Sequence, residues 1–171
     1  MIMRLAITDA CIFIDLYYLQ LTALFFSLDL QVHTSIDVLN ELYGNQLEIL
    51  SAFQLVGKLT AHNITEGEKK KILSLPYPRS LSESDKTVLY LASQLNAIVL
   101  SSDKVVRNTG KKNVIPYHGM IWIFDQLVDN KLISNSEASA KLKQLIMTNL
   151  VYQNNKELVE EMQKRLVKWE K

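Results

Sequence analysis

Short and long apolar segments alternate along this chain, and that alternation restricts its fold more than any other feature of the sequence. Short apolar runs at residues 4–8, 30–33, 58–62 and 97–100 have the length of buried strands. A longer segment with helical periodicity follows each of them, and the clearest amphipathic helix pattern, 80–96, precedes the last run. Because parallel strands need a crossover connection, this alternation predicts an α/β fold with a mostly parallel sheet.

Capping and turn residues set the other expected boundaries. Helices are predicted over 12–28, from Thr34 and Ser35 through Leu42, and over 47–55, 65–75, 120–129, 136–147 and 155–169, with a last short strand over 114–116. Gly44 is expected to close the second helix, and Pro76 to end the charged helix before a polar loop.

The composition is that of one folded domain. The chain has 171 residues, of which 48% are hydrophobic and 22% charged, enough to bury a core without disulfides. Its single cysteine, Cys11, cannot form an internal disulfide, so we expect a reducing, cytoplasmic location. His33, His62 and His118 form neither an i,i+4 pair nor a Cys/His cluster, which argues against a zinc site.

Neither a membrane span nor a secretion signal is expected. The most apolar stretch, residues 16–28, contains Gln20 and is shorter than the roughly 20 apolar residues that a spanning helix needs. Asp9 and Asp15 interrupt what would be the apolar region of a signal peptide. The net charge of +1 neither predicts nor excludes nucleic acid as a partner.

Two acidic residues directly follow predicted strands. Asp9 follows the strand at 4–8, and Asp103 comes just after the strand at 97–100. The carboxyl ends of parallel strands form the functional edge of such a sheet, so these carboxylates are expected to lie close together. The alternative is that each aspartate only caps the helix that follows it.

Two further acids are candidates because of their helix phase. Asp85 lies on the side of Val88, Leu89 and Ala92, the face turned to the core, whereas Glu83 points the opposite way. Asp85 also fits a capping box with Ser82, which would make it purely structural.

Glu41 borders the apolar face of its own helix, beside Val38 and Leu42, whereas Asp37 lies further toward solvent. Border glutamates are common on ordinary helices, so the functional interpretation of Glu41 depends on the other three acids. Asp15, Asp125 and Asp129 have no strand-end position and are expected to be charges on helix surfaces.

Converging carboxylates favour a hard divalent cation, Mg²⁺ or Mn²⁺, which stabilises their ionised forms. Such an ion keeps waters that can attack phosphorus, so phosphodiester hydrolysis is the matching chemistry. Thr8, Ser101 and Ser102 neighbour the acids and could orient waters or carboxylates, although hydroxyl side chains are frequent at strand ends in any case.

Basic residues cluster after Asp103. Lys104, Arg107, Lys111 and Lys112 could hold an RNA backbone beside the metal, or they could simply form a solvated segment. The run Lys69-Lys70-Lys71 is more typical of a solvated helix face.

Four motifs in chain order carry a resemblance to a known family: Ile-Thr-Asp9, Asp37-Val-Leu-Asn-Glu41-Leu, Ser-Glu-Ser-Asp85 and Leu-Ser-Ser-Asp103-Lys. Over roughly residues 4–133 the chain resembles the PIN-domain nucleases. Gly119 with the apolar helix after it, and the segment 130–134, look like the end of the VapC-type toxins of toxin-antitoxin pairs.

The resemblance implies a PIN-like three-layer α/β/α sandwich with a central, mostly parallel sheet. It also implies a Mg²⁺ or Mn²⁺ site formed by Asp9, Glu41, Asp85 and Asp103, and cleavage of single-stranded RNA, commonly by homodimers. Ala10 and Cys11 depart from the family, which often has a hydroxyl residue and Asn there.

The end of the chain is longer than a compact toxin needs. We expect residues 1–147 to form the PIN-like nuclease domain and residues 148–171 a helical C-terminal extension. Leu158, Met162, Leu166 and Trp169 form an apolar stripe along it. This stripe could pack on its own domain, form a dimer or bind an antitoxin.

The sequence thus favours a metal-dependent endoribonuclease that serves as the toxin of a toxin-antitoxin pair. Asp9, Asp85 and Asp103 would ligate the metal, and Glu41 would ligate it or position the attacking water. One alternative is a receiver-like signalling domain around Asp9 and Asp103-Lys104. The other is a catalytically silent PIN-like module that binds RNA or protein.

Overall fold

Five parallel strands form a single sheet in the computed structural model, which describes residues 4–170. The strands are β1 (Arg4–Thr8), β2 (Leu30–Ser35), β3 (Leu59–His62), β4 (Ile98–Leu100) and β5 (Tyr117–His118), in the spatial order β3-β2-β1-β4-β5. The predicted α/β fold with a parallel sheet is confirmed. Residues 1–3 and 171, the outermost residues of the predicted domain and extension, lie outside the described residues.

Helices connect the strands and cover the sheet. They are α1 (Ala10–Tyr18), α2 (Thr22–Phe25), α3 (Ile36–Leu39), α4 (Gly44–Leu55), α5 (Glu66–Ser74), α6 (Glu83–Leu95), α7 (Lys104–Lys112), α8 (Met120–Asp129), α9 (Asn135–Thr148), α10 (Leu150–Asn154) and α11 (Lys156–Trp169). The arrangement is the three-layer α/β/α sandwich that the sequence predicted.

The core lies between the sheet and its helices. Helix α6 contacts β1, β2 and β4, and its inward face contributes Val88 and Leu89, both fully buried. Ile7 on β1 and Val99 on β4 are also fully buried. Strands buried on both faces are continuous apolar runs, which explains why β1 and β4 lack alternation.

The sheet order creates a switch point. From β1 the chain proceeds through β2 to β3 on one side, and then crosses to β4 and β5 on the other. Thr8 at the end of β1 is paired with Leu100 at the end of β4. Crevices for ligands open where the strand order reverses, so the ends of β1 and β4 are the expected place for a site.

Two sequence predictions are wrong because helices end in the left-handed conformation without glycine. The predicted helix 12–28 breaks at Gln20, whose φ is 57°. Gln20 N donates to Tyr17 O and Leu21 N to Leu16 O, the hydrogen bonds of a Schellman motif. Val114 ends α7 in the same way, with φ 57°, so the last strand lies at Tyr117–His118 and not at 114–116.

The second predicted helix is also shorter than expected. Helix α3 is a single turn capped by Ser35, and Gly44 begins α4 where the prediction had it closing a helix. The backbone N–H of Tyr43 donates to Gln46 Oε1 at 3.0 Å, which fixes the start of α4.

The C-terminal segment packs against the rest of the protein. Helices α10 and α11 contact α9 and each other, and Tyr152, Met162, Leu166 and Trp169 are buried. Arg165 on α11 pairs with Asp125 on α8, with 3.1 Å between Nη2 and Oδ2. Across residues 4–170, no helix combines the length and apolar character required to cross a membrane.

Candidate active site

Asp9 lies at the switch point, immediately after β1. Its backbone N–H donates to Leu100 O at 3.1 Å, which joins the ends of β1 and β4. Its side chain caps α1 by accepting from Ile12 N at 3.2 Å. The side chain is only 3% exposed, so the carboxylate lies inside the protein.

Within residues 4–170, no cation is among the hydrogen-bond partners of this carboxylate. Its side-chain donors are the Cys11 thiol, at 2.9 Å, and the Ile12 amide. Burial raises the pKa of Asp9 from 3.8 to about 7, although the hydrogen bonds from Cys11 and Ile12 and the nearby Ser101 hydroxyl oppose the rise. The negative charge of Asp85 makes a smaller contribution that also raises the pKa of Asp9.

Cys11 departs from the family pattern but still contributes to this site. Its Sγ donates to Asp9 Oδ1 and accepts from the backbone N–H of Ser102 at 3.2 Å. The thiol therefore connects the residue after β1 to the loop after β4. Burial and the neighbouring Asp9 charge raise the pKa of Cys11, so it stays a neutral thiol and is unsuited to be a nucleophile.

Asp103 lies in the loop after β4, and its side chain is exposed. Oδ1 accepts from Val105 N at 2.7 Å and Val106 N at 2.9 Å, which caps α7. Ser101 Oγ accepts from the Asp103 backbone N–H at 3.1 Å. One carboxylate oxygen thus serves the helix cap, and Ser101 fixes the loop.

Asp85 lies at the start of α6, and Glu41 lies in the turn after α3. Asp85 is half-buried in the first turn of α6, and its Oδ2 accepts from Ser82 N at 3.0 Å in a capping box. Glu41 is exposed, just beyond α3, and its Oε1 accepts a hydrogen bond from Ser84 Oγ. Ser84 therefore links the turn after α3 to the start of α6.

The hydroxyl residues at the strand ends differ in their surroundings. Thr8 Oγ1 is buried and has no hydrogen-bond partner among residues 4–170. Ser101 Oγ holds the Asp103 loop, whereas Ser102 Oγ lies 2.5 Å from the Tyr152 hydroxyl of α10. Ser102 thus joins the site to the C-terminal segment, a contact that the sequence did not predict.

The acids do not form a closed ligand cluster. Within the described chain, no group of three His, Cys, Asp or Glu side chains is placed to hold one metal ion. The donor chemistry nevertheless fits a hard divalent cation. Among the residues that the structure describes, the buried Asp9 carboxylate accepts from uncharged donors alone and Thr8 Oγ1 has no partner. A cation beside Asp9 would supply the positive charge that its carboxylate lacks.

The predicted RNA-binding cations all lie on α7. Lys104, Lys111 and Lys112 are exposed, and Arg107 is half-buried. Arg107 follows Asp103 by four residues, so the two share one face of the helix. Lys111 and Lys112 lie in the last turn, where they also interact favourably with the helix dipole.

Asp15 is buried and is not the helix-surface charge that the sequence predicted. It is 5% exposed on α1 and accepts from Tyr152 Oη at 2.8 Å and Asn149 Nδ2 at 2.9 Å. Burial raises its pKa, while these two hydrogen bonds lower it. Asp125 is not a free surface charge either, since Arg165 pairs with it.

A parallel sheet with acidic side chains at its switch point defines an α/β protein whose ligand site lies at the strand ends. A family model described as a PIN domain matches residues 5–167. The chain therefore belongs to the PIN-domain family, and its fold is of the nuclease type. No curated protein gives a significant sequence match.

Proposed function

We propose that this protein is a metal-dependent endoribonuclease that hydrolyses phosphodiester bonds of single-stranded RNA. PIN domains are generally nucleases, and the family match covers nearly the whole chain. The observation that carries the proposal is the buried Asp9 carboxylate at the switch point. It has a raised pKa and, in the described part of the chain, no cationic hydrogen-bond partner. Such a group is typical of a functional site.

Asp9, Asp85 and Asp103 would hold Mg²⁺ or Mn²⁺, and Glu41 would join them or position the attacking water. When bound, the metal supplies an activated water and stabilises charge on the phosphate. Asp9 is held by Cys11 and Ile12, so its carboxylate is fixed before any ligand arrives. Asp85 Oδ2 accepts from Ser82 N, so Oδ1 is the oxygen that would face the metal.

The surrounding residues support this arrangement. Ser101 holds the Asp103 loop, and Ser84 holds Glu41 near the start of α6. Lys104 and Arg107 follow Asp103 on α7 and would contact phosphates next to the scissile bond. The Thr8 hydroxyl at the end of β1, which has no partner within residues 4–170, would hold a bound water.

Cleavage of a mixed single-stranded RNA pool tests the proposal. We expect the native chain to cut with Mn²⁺ or Mg²⁺ and to stop when EDTA is added. Asp9→Asn should lose at least about 100-fold in rate, since it removes the central anionic ligand. Asp129→Asn, which changes an exposed acid on α8, is the matched control and should keep full activity.

The biological context belongs to the same proposal. The VapC-like features support a cytoplasmic toxin that acts as a homodimer and is inhibited by an antitoxin. Expression of the native chain should then arrest growth, and Asp9→Asn should not. A neighbouring gene for a small DNA-binding protein would add support for an antitoxin.

A catalytically silent PIN-like module is the second candidate, and the spread of the acids favours it. Folded protein that binds RNA but cuts none with any divalent metal would support this candidate. The receiver-like alternative is not supported, because the strand order β3-β2-β1-β4-β5 differs from the 2-1-3-4-5 order of receiver domains.

A further inference from the structure

A cleft of about 300 Å³ opens beside the candidate active site, between α7, α8 and α11. Ser102 forms part of its wall, directly next to Asp103, and Tyr152 lies behind Ser102. Its volume is at the lower end of the range for small-molecule pockets, about 300–1,000 Å³. The cleft therefore has room for one small group rather than for a folded partner.

An aromatic pair lines the cleft. His118 at the end of β5 and Trp122 on α8 are stacked, with ring centroids 4.5 Å apart and planes 11° from parallel. Both are partly exposed. Burial and the charge of Arg4 lower the pKa of His118, so its ring is neutral near pH 7.

The backbone holds this pair close to the strand ends. Gly119 separates His118 from α8, and a Cβ at Gly119 would lie 3.3 Å from Ser101 O and 3.7 Å from Ser102 Oγ. Glycine thus allows the β5–α8 junction to approach the loop that carries Asp103. A ligand on the aromatic pair would therefore lie near the candidate metal ligands.

The charges of the cleft favour a base with a single phosphate. Arg165 is already paired with Asp125 and Glu161, so its charge is compensated. Arg107 also lines the cleft, and its Nε is buried without a hydrogen-bond partner among the described residues. One unpaired donor group beside an aromatic pair matches one phosphate beside one stacked base.

We propose that this cleft binds an unpaired nucleobase of the RNA substrate, stacked on the His118–Trp122 pair, with Arg107 contacting the adjacent phosphate. The inference rests on the proposed ribonuclease function and adds a substrate subsite next to the catalytic acids. It requires that the RNA be single-stranded at this nucleotide, because inside a duplex both faces of a base are covered by its stacked neighbours.

Binding of a fluorescent single-stranded RNA hexamer to the full chain in EDTA tests this subsite without cleavage. Trp122→Leu should weaken binding about 10-fold, whereas Trp122→Phe, which keeps an aromatic ring, should bind within about 3-fold of native. A hexamer with abasic positions should bind the native chain about 10-fold more weakly than the intact hexamer, which tests stacking even if Trp122→Leu fails to fold.

The phosphate contact has its own readout. Arg107→Gln should reduce the slope of log affinity against log salt by about 0.7, the value for one phosphate on single-stranded nucleic acid. Lys70→Gln, an exposed cation on α5, is the control and should leave the slope unchanged. Adenosine monophosphate serves as a second probe, and binding as tight as the hexamer would assign the cleft to free nucleotides.

Equal binding of intact and abasic hexamers, or a Trp122→Leu variant that folds and binds like native, would overturn the subsite. Failure of the proposed function gives a different pattern. A chain that binds the hexamer through Trp122 but cuts no RNA with metal retains the subsite and loses the ribonuclease. A chain that cuts RNA but is insensitive to Trp122 retains the ribonuclease and loses the subsite.

Discussion

At the scale of single residues, Asp9 is the acid of the candidate site whose ionisation is most strongly opposed by burial. Its carboxylate is buried against neutral donors, and the coupled Asp85 charge opposes its ionisation. A buried anion without a countercharge destabilises the folded state, and proteins retain such groups mainly where a ligand compensates them. The free energy of unfolding of the metal-free protein should therefore depend on the ionisation of Asp9, which can be measured without a substrate.

Replacing Asp9 by Asn should stabilise the metal-free protein at high pH. Well below pH 3.8 the Asp9 carboxyl is protonated in both the folded and the unfolded chain. Between pH 3.8 and about 7 it is ionised mainly in the unfolded chain. The native chain thus loses stability as the pH rises through this window. Since one pKa unit is about 1.4 kcal/mol, Asp9→Asn should gain up to about 4 kcal/mol relative to native at pH 8.

Urea unfolding in EDTA at pH 4 and pH 8 measures this difference. The gain should be present at pH 8 and shrink toward pH 4, and Asp129→Asn should show no such change. A gain that is equal at both values of pH would mean that the ionisation of Asp9 carries no penalty in the fold.

At the scale of elements, strong periodicity made the sequence predictive. Helix α8 has the predicted bounds, and β4 and α6 lie within a few residues of theirs. The failures at Gln20 and Val114 share one cause, because a helix end in the left-handed conformation carries a sequence signal only when glycine or asparagine occupies it. Glutamine at position 20 and valine at position 114 gave no such signal.

Val114→Gly should stabilise the end of α7. The left-handed conformation costs about 1–2 kcal/mol for a residue with a Cβ, and Val114 is 89% exposed, so little packing is lost. We expect a gain of about 1 kcal/mol in the free energy of unfolding, measured by urea titration. Asn96→Gly is the matched control, since asparagine tolerates its left-handed cap on α6 and should gain less.

A loss of stability in Val114→Gly, or a gain no larger than that of Asn96→Gly, would contradict the claim that the left-handed conformation of Val114 destabilises the fold.

At the scale of the whole molecule, the contacts between residues far apart in the chain were not predicted from the sequence. The positions of the strand-end acids followed from short motifs, but Asp15 is buried by Asn149 and Tyr152, which lie 134 and 137 residues away. No local pattern marks such a contact. The same Tyr152 reaches Ser102, so the C-terminal segment supports both α1 and the loop beside Asp103.

We propose that residues 148–171 are an integral part of the fold. Truncation after Met147 would remove four buried side chains, Tyr152, Met162, Leu166 and Trp169, and leave the Asp15 carboxylate without its two donors. At about 1.5–3 kcal/mol per buried apolar side chain, the truncated chain should lose more than about 5 kcal/mol or fail to fold.

Thermal unfolding and light scattering of the truncated chain test this proposal. Val167→Lys, a change on the exposed side of α11, is the control and should leave both readouts unchanged. An unaltered unfolding temperature together with a smaller oligomer would instead identify the tail as a surface for a partner.

The central claim is that Asp9 and its neighbouring acids bind a divalent metal, and a calorimetric titration of the protein with Mn²⁺ tests it most directly. We expect binding by the native chain and by Asp129→Asn, loss of binding in Asp9→Asn, and an affinity that rises with pH through about 7 as Asp9 ionises. Native protein that binds no Mn²⁺ at pH 8, or Asp9→Asn that binds it equally well, would contradict the account.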